Sequence, residues 1–267
     1  MCHMKQGTAL ITGASSGIGK VFAETLATRG YNLVIIARRH ARLKELADEL
    51  IRRYSIQIEI LVADLSNEQD LLRVEQHILQ ANNLTMLINN AGFGTPGVFI
   101  DVPIQRTQEM LNVHILATTR LSWAALQVMR KHNQGTIINV SSIAAFLPSP
   151  TAVSYCATKV YINTFSDALQ RQLQDTDISI QALCPGFTYT EFHDTPEYTG
   201  FDRSRFPKWM WMSAEDVVQF SLRMVPKGQV IVVPGTINKT LVWLMTNSIT
   251  AFFLKKIVTA RRKLSSS

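Results

Sequence analysis

Short apolar runs alternate with longer amphipathic ones along most of the chain. The short runs predict strands at 9–12, 32–37, 56–63, 86–89, 135–140, 179–183 and 229–233. Between them, residues 42–53 place Leu43, Leu46, Ala47 and Leu50 on one stripe, and 71–80 repeats the helical period. Ser66 with Gln69 predicts a capping box opening that second helix, each side chain bonding the other's exposed amide. Near-continuous apolar strands separated by helices predict a parallel sheet of about seven strands, covered on both faces. Ligands of such sheets bind beyond the carboxyl ends of the strands, so chemistry is expected there.

Length and charge sharpen this picture. At 267 residues, without a Gly/Ser or Pro-rich linker or an internal repeat, the chain 1–267 reads as a single α/β domain. The net charge of +7 is unevenly placed: no acidic residue follows Asp216, while eight basic ones do, including Lys255, Lys256, Arg261, Arg262 and Lys263. A nucleic-acid binder would carry its basic footprint on the recognition element, not only on a tail, so no nucleic-acid partner is expected. Cys2, Cys156 and Cys184 form no CxxC pair, and the six histidines show no metal-binding spacing. No disulfide framework or metal site is expected, and a reducing cytoplasmic setting fits.

The candidate chemistry falls at the strand ends. Residues 9–12 run straight into Gly13-Ala14-Ser15-Ser16-Gly17-Ile18-Gly19, with a helix predicted from about Lys20. Glycines there let the backbone turn tightly and bring a pyrophosphate to the free amides of the helix start. The GxxxGxG spacing differs from the commoner GxGxxG. Tyr155-Cys156-Ala157-Thr158-Lys159 puts a phenol and an ammonium on one helix face at i and i+4. A free tyrosine titrates near ~10, too high for proton transfer at neutral pH, and a nearby cation favours the phenolate. Ser142 closes the strand ending Val140-Ser141-Ser142, with Ser141 as the competing candidate.

Taken in order, these segments resemble the short-chain dehydrogenase/reductase family, in the branch of uncharacterised bacterial reductases and of 3-oxoacyl and 17β-hydroxysteroid reductases. The resemblance covers residues 7–235 and implies a doubly wound parallel Rossmann sheet with helices on both faces. It implies a catalytic set of Asn112, Ser142, Tyr155 and Lys159: Tyr155 as acid/base, Ser142 steering it, Asn112 anchoring a proton-relay water. Lys159 would also hold the nicotinamide ribose. Gly13, Ser15, Ser16, Gly17, Ile18 and Gly19 would hold the cofactor phosphates. Asp64 with Leu65 would meet adenine, Asn90, Ala91 and Gly92 would line the cofactor, and Pro185, Gly186, Thr188 and Thr190 would flank the nicotinamide. Where the family's NAD-users carry aspartate this chain has Ala37, followed by Arg38 and Arg39, which favours NADP(H) over NAD(H).

Eight aromatics lie between Phe187 and Met212: Phe187, Tyr189, Phe192, Tyr198, Phe201, Phe206, Trp209 and Trp211. The resemblance makes residues 187–212 a mobile substrate lid, and this density suits a bulky apolar carbonyl or alcohol, such as a 3-oxoacyl thioester or a steroid-like ketone. The same aromatics would equally serve as a small core for the segment itself. Residues 236–267 form an apolar, basic extension too short and too interrupted to span a bilayer. It would pack on protein or lie at a membrane surface, with its basic residues toward lipid phosphates. By resemblance a homo-dimer or tetramer forms through the helices bearing Asn112 and Tyr155. The alternative is a non-catalytic protein that senses NADP(H) or binds lipid on the same fold.

Overall fold

The computed structural model describes residues 7–199 and 201–247. The first half alternates strand and helix: β1 (Thr8–Thr12), α1 (Gly17–Thr28), β2 (Asn32–Ala37), α2 (His40–Tyr54), β3 (Ile58–Val62), α3 (Glu68–Gln80) and β4 (Leu84–Asn89). Then follow α4 (Ile104–Leu111), a π-helical turn (Asn112–Ala117), α5 (Thr118–Met129), β5 (Gln134–Val140), α6 (Val153–Gln172) and β6 (Asp177–Leu183). A small parallel pair, β7 (Thr188–Tyr189) and β8 (Met212–Ser213), brackets the aromatic segment. The chain continues through α7 (Ala214–Met224), β9 (Ile231–Val232) and α8 (Thr236–Thr246).

The sheet is parallel throughout, seven strands in the order β3-β2-β1-β4-β5-β6-β9. The order reverses between β1 and β4, which opens a crevice at their carboxyl ends. Successive strand residues alternate between two cores. Ala9, Ile11, Leu33, Ile35, Ile88 and Ile138 pack with Phe22 and Leu26 of α1, Leu43 and Leu50 of α2 and Val217 of α7. Leu10, Val34, Ile36, Leu87 and Ile137 pack on the other face, with Val74 and Ile78 of α3 and Leu121 and Val128 of α5. Burial on both faces is why these strands read as unbroken apolar runs; each fully buried leucine or isoleucine contributes about 2 kcal/mol.

The predicted strands appear with small changes at their ends, β3 and β9 being shorter than the runs 56–63 and 229–233. The capping box does not form. Asn67, not Ser66, caps α3, its side chain accepting from the Asp70 amide at 3.1 Å. Ser66 is taken instead by Asp64, whose Oδ1 accepts from the Ser66 hydroxyl at 2.6 Å and amide at 3.0 Å. Among the described residues no helix is long and apolar enough to cross a membrane. The apolar, basic tail beyond Asn247 lies outside the described residues.

Candidate active site

β1 ends in a turn that the glycines make possible. Gly13 (φ +66°) and Gly17 (φ +54°) hold left-handed conformations. At Gly19 a Cβ would sit 2.4 Å from the Gly13 carbonyl oxygen, so only hydrogen lets α1 start this close to β1. Ser16 stands at the N-cap of α1, yet its side chain caps no amide, and the first turn holds no acidic residue. The N-terminal amides of α1 thus find no cap from Ser16 and no acidic side chain in the first turn, an arrangement that suits an anion.

The Asn89–Gly92 segment clamps this turn to β4. The Asn90 amide donates to the Thr12 hydroxyl at 2.9 Å, the Ala91 amide does so at 3.0 Å, and Asn90 Nδ2 donates to the Thr12 carbonyl at 3.0 Å. Asn89 bridges inside the core, its Nδ2 donating to Ser122 Oγ (3.1 Å) and Asn139 Oδ1 (2.9 Å).

Across the crevice, α6 carries Tyr155 and Lys159 one turn apart. The Ser142 hydroxyl lies beside the Tyr155 phenol and favours its ionised form, while Oγ donates to the Pro185 carbonyl at 3.5 Å. Ser142 Oγ also accepts from the Ala144 amide at 3.1 Å, capping a short 3₁₀ turn. Ser141 Oγ is buried and donates to the Lys159 carbonyl at 3.1 Å, so of the two candidates only Ser142 meets the phenol. Lys159 Nζ lies 5.4 Å from the Tyr155 ring centre and donates to the Val140 carbonyl at 2.9 Å. Burial pushes the phenol up to about 12, against the influence of Ser142, and pushes the Lys159 ammonium down to about 8. The expected lowering of Tyr155 by Lys159 is therefore not seen: the ammonium points at backbone, and desolvation of the phenolate dominates.

Asn112 starts the π-helical turn between α4 and α5, and its Nδ2 donates to the Ser66 carbonyl at 3.2 Å. Such single π turns often mark functional positions. Two residues on, His114 is fully buried, a residue the spacing of motifs did not single out. The Phe93 amide donates to its Nε2 at 3.2 Å, and its Nδ1 lies 2.9 Å from Thr158 Oγ1, which itself donates to the Tyr155 carbonyl at 2.7 Å. These partners fix the Nδ1–H tautomer. Burial, then the Lys159 charge, hold His114 well below the usual imidazole range. Its ring meets Tyr155 edge-on at 5.8 Å, tying the strand-end loop after Gly92 to the helix of Tyr155.

The aromatic segment divides between both uses expected of it. Phe187, Phe201 and Trp211 gather round His193, whose ring stacks on Phe201 at 4.4 Å, and Phe206 joins them at 4.5 Å from Phe187. This is a core of the segment's own. Burial pushes His193 down to about 4, and its Nδ1 has no hydrogen-bond partner among the described residues. Phe192 instead packs on Tyr155 at 6.0 Å and on Tyr198 at 5.4 Å. Arg106 of α4 anchors the segment through Glu197 while covering the Phe93 ring at 4.1 Å.

Other expected residues are placed as follows. Arg38 Nη1 stands 3.7 Å from Asp64 Oδ2 on the surface. The bonds from Ser66 and the Arg38 charge outweigh burial and hold Asp64 below the usual carboxylate range. Leu65 is buried. Arg39 turns to the glycine loop, donating to Ser15 Oγ (2.9 Å) and Ser16 Oγ (2.7 Å). Thr188 Oγ1 donates inward to the Gly186 carbonyl at 3.0 Å, and Pro185 O accepts from the Ile143 amide at 3.0 Å. Gly186 faces the buried Asn238 of α8, and Thr190 packs on Gly17.

The chain matches the short chain dehydrogenase family over residues 7–197. It is 31% identical over 187 residues to a very-long-chain 3-oxoacyl-CoA reductase of Anas platyrhynchos, a match over 68% of this chain and 60% of that relative. It is 30% identical over 184 residues to the inactive hydroxysteroid dehydrogenase-like protein 1 of Homo sapiens, over 68% of this chain and 56% of the other. The chain thus spans a little more than half the length of these relatives. A solved structure, a short-chain dehydrogenase from Sphingobium yanoikuyae in complex with NADPH, superposes with a TM-score of 0.80 at 30% identity, covering 98% of this chain and 95% of that one. With the match running from β1 through the glycine turn, the Asn89–Gly92 clamp and the Tyr155–Lys159 helix, the chain belongs to the short-chain dehydrogenase family.

Proposed function

We propose that this oxidoreductase interconverts a bulky apolar ketone, such as a 3-oxoacyl thioester or a steroid-like ketone, with its secondary alcohol, using NADP(H). The observation that carries the reading is the Tyr155 phenol, set beside Ser142, flanked by the Lys159 ammonium and covered by Phe192. The chain's donors fit a dinucleotide: free amides open α1, and Ser15, Ser16 and Arg39 converge beside them. When bound, the nicotinamide supplies or accepts the hydride.

The remaining steps belong to the chain. Ser142 holds a carbonyl oxygen against the phenol, and Tyr155 delivers its proton to that oxygen as negative charge develops there. Lys159, buried 5.4 Å from the ring centre and held by the Val140 carbonyl, would hold the nicotinamide ribose, as the family resemblance implies. Asn112, at the π-helical turn, would anchor a water returning protons from solvent to Lys159. Phe192 and Tyr198 exclude water from the reacting centre and offer apolar surface to the substrate. The name of the 3-oxoacyl-CoA reductase relative supports a substrate of this character. Arg38 and Arg39, which follow Ala37 at the end of β2 where the family's NAD-users carry aspartate, support NADP(H), as does the NADPH of the S. yanoikuyae structure.

The test is NADPH consumption with a panel of 3-oxoacyl thioesters, hydroxysteroid-derived ketones and other ketones with two bulky substituents. Turnover of any of them is expected, rising with the apolar bulk of the substrate. Tight NADPH binding with no turnover across the panel would favour a non-catalytic NADP(H) sensor, a reading that the inactive human relative also supports.

The face formed by the π-helical turn, α5 and α6 leaves Leu116, Trp123 and Val160 exposed. We read it as the contact with a second copy of the chain, as the family resemblance implies. Sedimentation is expected to show a dimer or tetramer that Trp123→Glu shifts toward monomer; a wild-type monomer at micromolar concentration overturns this.

A further inference from the structure

Charges from two distant parts of the chain meet above the glycine turn. Arg39 Nε and Nη2 donate to Ser15 Oγ at 3.1 and 2.9 Å, Nη2 also reaches Ser16 Oγ at 2.7 Å, and Nη1 donates to Glu191 Oε2 at 3.0 Å. Arg42 Nη1 donates to both Glu191 oxygens at 2.6 Å. Glu191 follows Thr190, which packs on Gly17, and precedes Phe192, which packs on Tyr155. One carboxylate thus joins the arginines beside the cofactor loop to the segment over the phenol.

Four of the five N–H donors of the Arg39 guanidinium are engaged, and the remaining Nη1 hydrogen shares its nitrogen with the bond to Glu191, so a phosphate arriving here meets that carboxylate. The acceptors are unequal. A serine hydroxyl that accepts from Arg39 still offers its own hydrogen to a phosphate oxygen. Glu191 offers none, and its charge repels the phosphate. Only the carboxylate competes.

Resting on the NADP(H) reading above, we propose that Glu191 is an internal counter-anion of the site that separates NADP(H) from NAD(H). It neutralises Arg39 and Arg42, and the cofactor's 2′-phosphate displaces it. The preference for NADP(H) is therefore smaller than the two arginines alone would give. Since Glu191 and Phe192 are adjacent, occupancy of the phosphate site and the position of the segment over Tyr155 bias one another reciprocally.

The pyrophosphate is common to both cofactors, so the ratio of their dissociation constants isolates the 2′-phosphate. NADPH and NADH are titrated by calorimetry into wild type, Glu191→Gln and Arg39→Gln, without substrate. Glutamine keeps the shape of Glu191 and removes its charge. The ratio of the NADH to the NADPH constant is expected to rise about five- to tenfold in Glu191→Gln, the scale of two partly exposed ion pairs, and to fall in Arg39→Gln. The gain should shrink as salt is raised. A Glu191→Gln ratio equal to or below that of a wild type preferring NADPH overturns the counter-anion alone: Glu191 would then serve only the pyrophosphate or the segment's fold. NADH bound at least as tightly as NADPH by both wild type and Glu191→Gln overturns the NADP(H) reading, and the inference with it.

Discussion

Tyr155→Phe is expected to lower ketone turnover about a thousandfold, with the dissociation constant for NADPH changed less than threefold. A phenylalanine ring keeps the edge contact with His114 at 5.8 Å and the packing on Phe192 at 6.0 Å, so the pocket's shape survives. What disappears is the hydroxyl to which the proposed mechanism assigns the proton transfer. Single-turnover rates and a parallel NADPH titration separate the two effects. A variant retaining more than a tenth of wild-type turnover would leave the phenol without the acid's role.

The titration of the site adds a direction. Burial raises Tyr155 to about 12, so through the neutral range it stays protonated, the form that reduction needs. Reduction should then vary little with pH until Lys159, lowered to about 8, loses its charge as pH rises through that value. Oxidation needs the phenolate, and its rate should rise with pH, about tenfold per unit, over the range below the phenol's pKa where Lys159 keeps its charge. A pH-independent oxidation rate would mean that another group takes the proton.

Gly19→Ala is expected to weaken NADPH binding at least about a hundredfold. The new methyl would stand 2.4 Å from both the Gly13 carbonyl oxygen and Asn90 Nδ2, and 2.9 Å from the Gly13 carbonyl carbon. Backbone cannot give way as a flexible side chain does, so α1 must back off from the turn, carrying its free amides with it. Overpacking of this kind costs about 1–3 kcal/mol, roughly 2–12 °C in thermal midpoint for a chain of this size. Calorimetry with NADPH and a thermal melt read the two consequences. Binding within threefold of wild type would show that the turn tolerates a side chain and that its closeness to α1 does not set the cofactor site.

Much of this was legible along the chain because it is local or periodic. The strands appear where apolar runs predict them, since burial on both faces demands unbroken apolar side chains. The GxxxGxG turn and the Tyr155–Lys159 spacing are set by one tight turn and by one turn of helix. The capping box failed for an equally physical reason. Ser66 had a stronger partner in Asp64, an acceptor with charge, and the adjacent Asn67 was free to cap α3. Likewise Ser141 and Ser142 are neighbours in sequence, but they lie in extended chain just past β5, where successive residues point to opposite faces. One hydroxyl entered the backbone of α6 and the other met the phenol.

By itself, then, the sequence determined the sheet, through hydrophobic period, and carried the resemblance that implies the family and the residues expected to handle phosphate and proton. Only the tertiary structure decided which groups those residues face. His114 reads as one more side chain in an apolar helix, until the packing of α4, α5 and α6 brings it between Phe93 and Thr158. Glu191 carries no spacing signal at all, because its partners Arg39 and Arg42 lie about 150 residues away. The same holds for proton affinity: the i, i+4 spacing of Tyr155 and Lys159 predicts attraction. Desolvation, a property of everything packed around them, decides that the phenol rises and the ammonium falls.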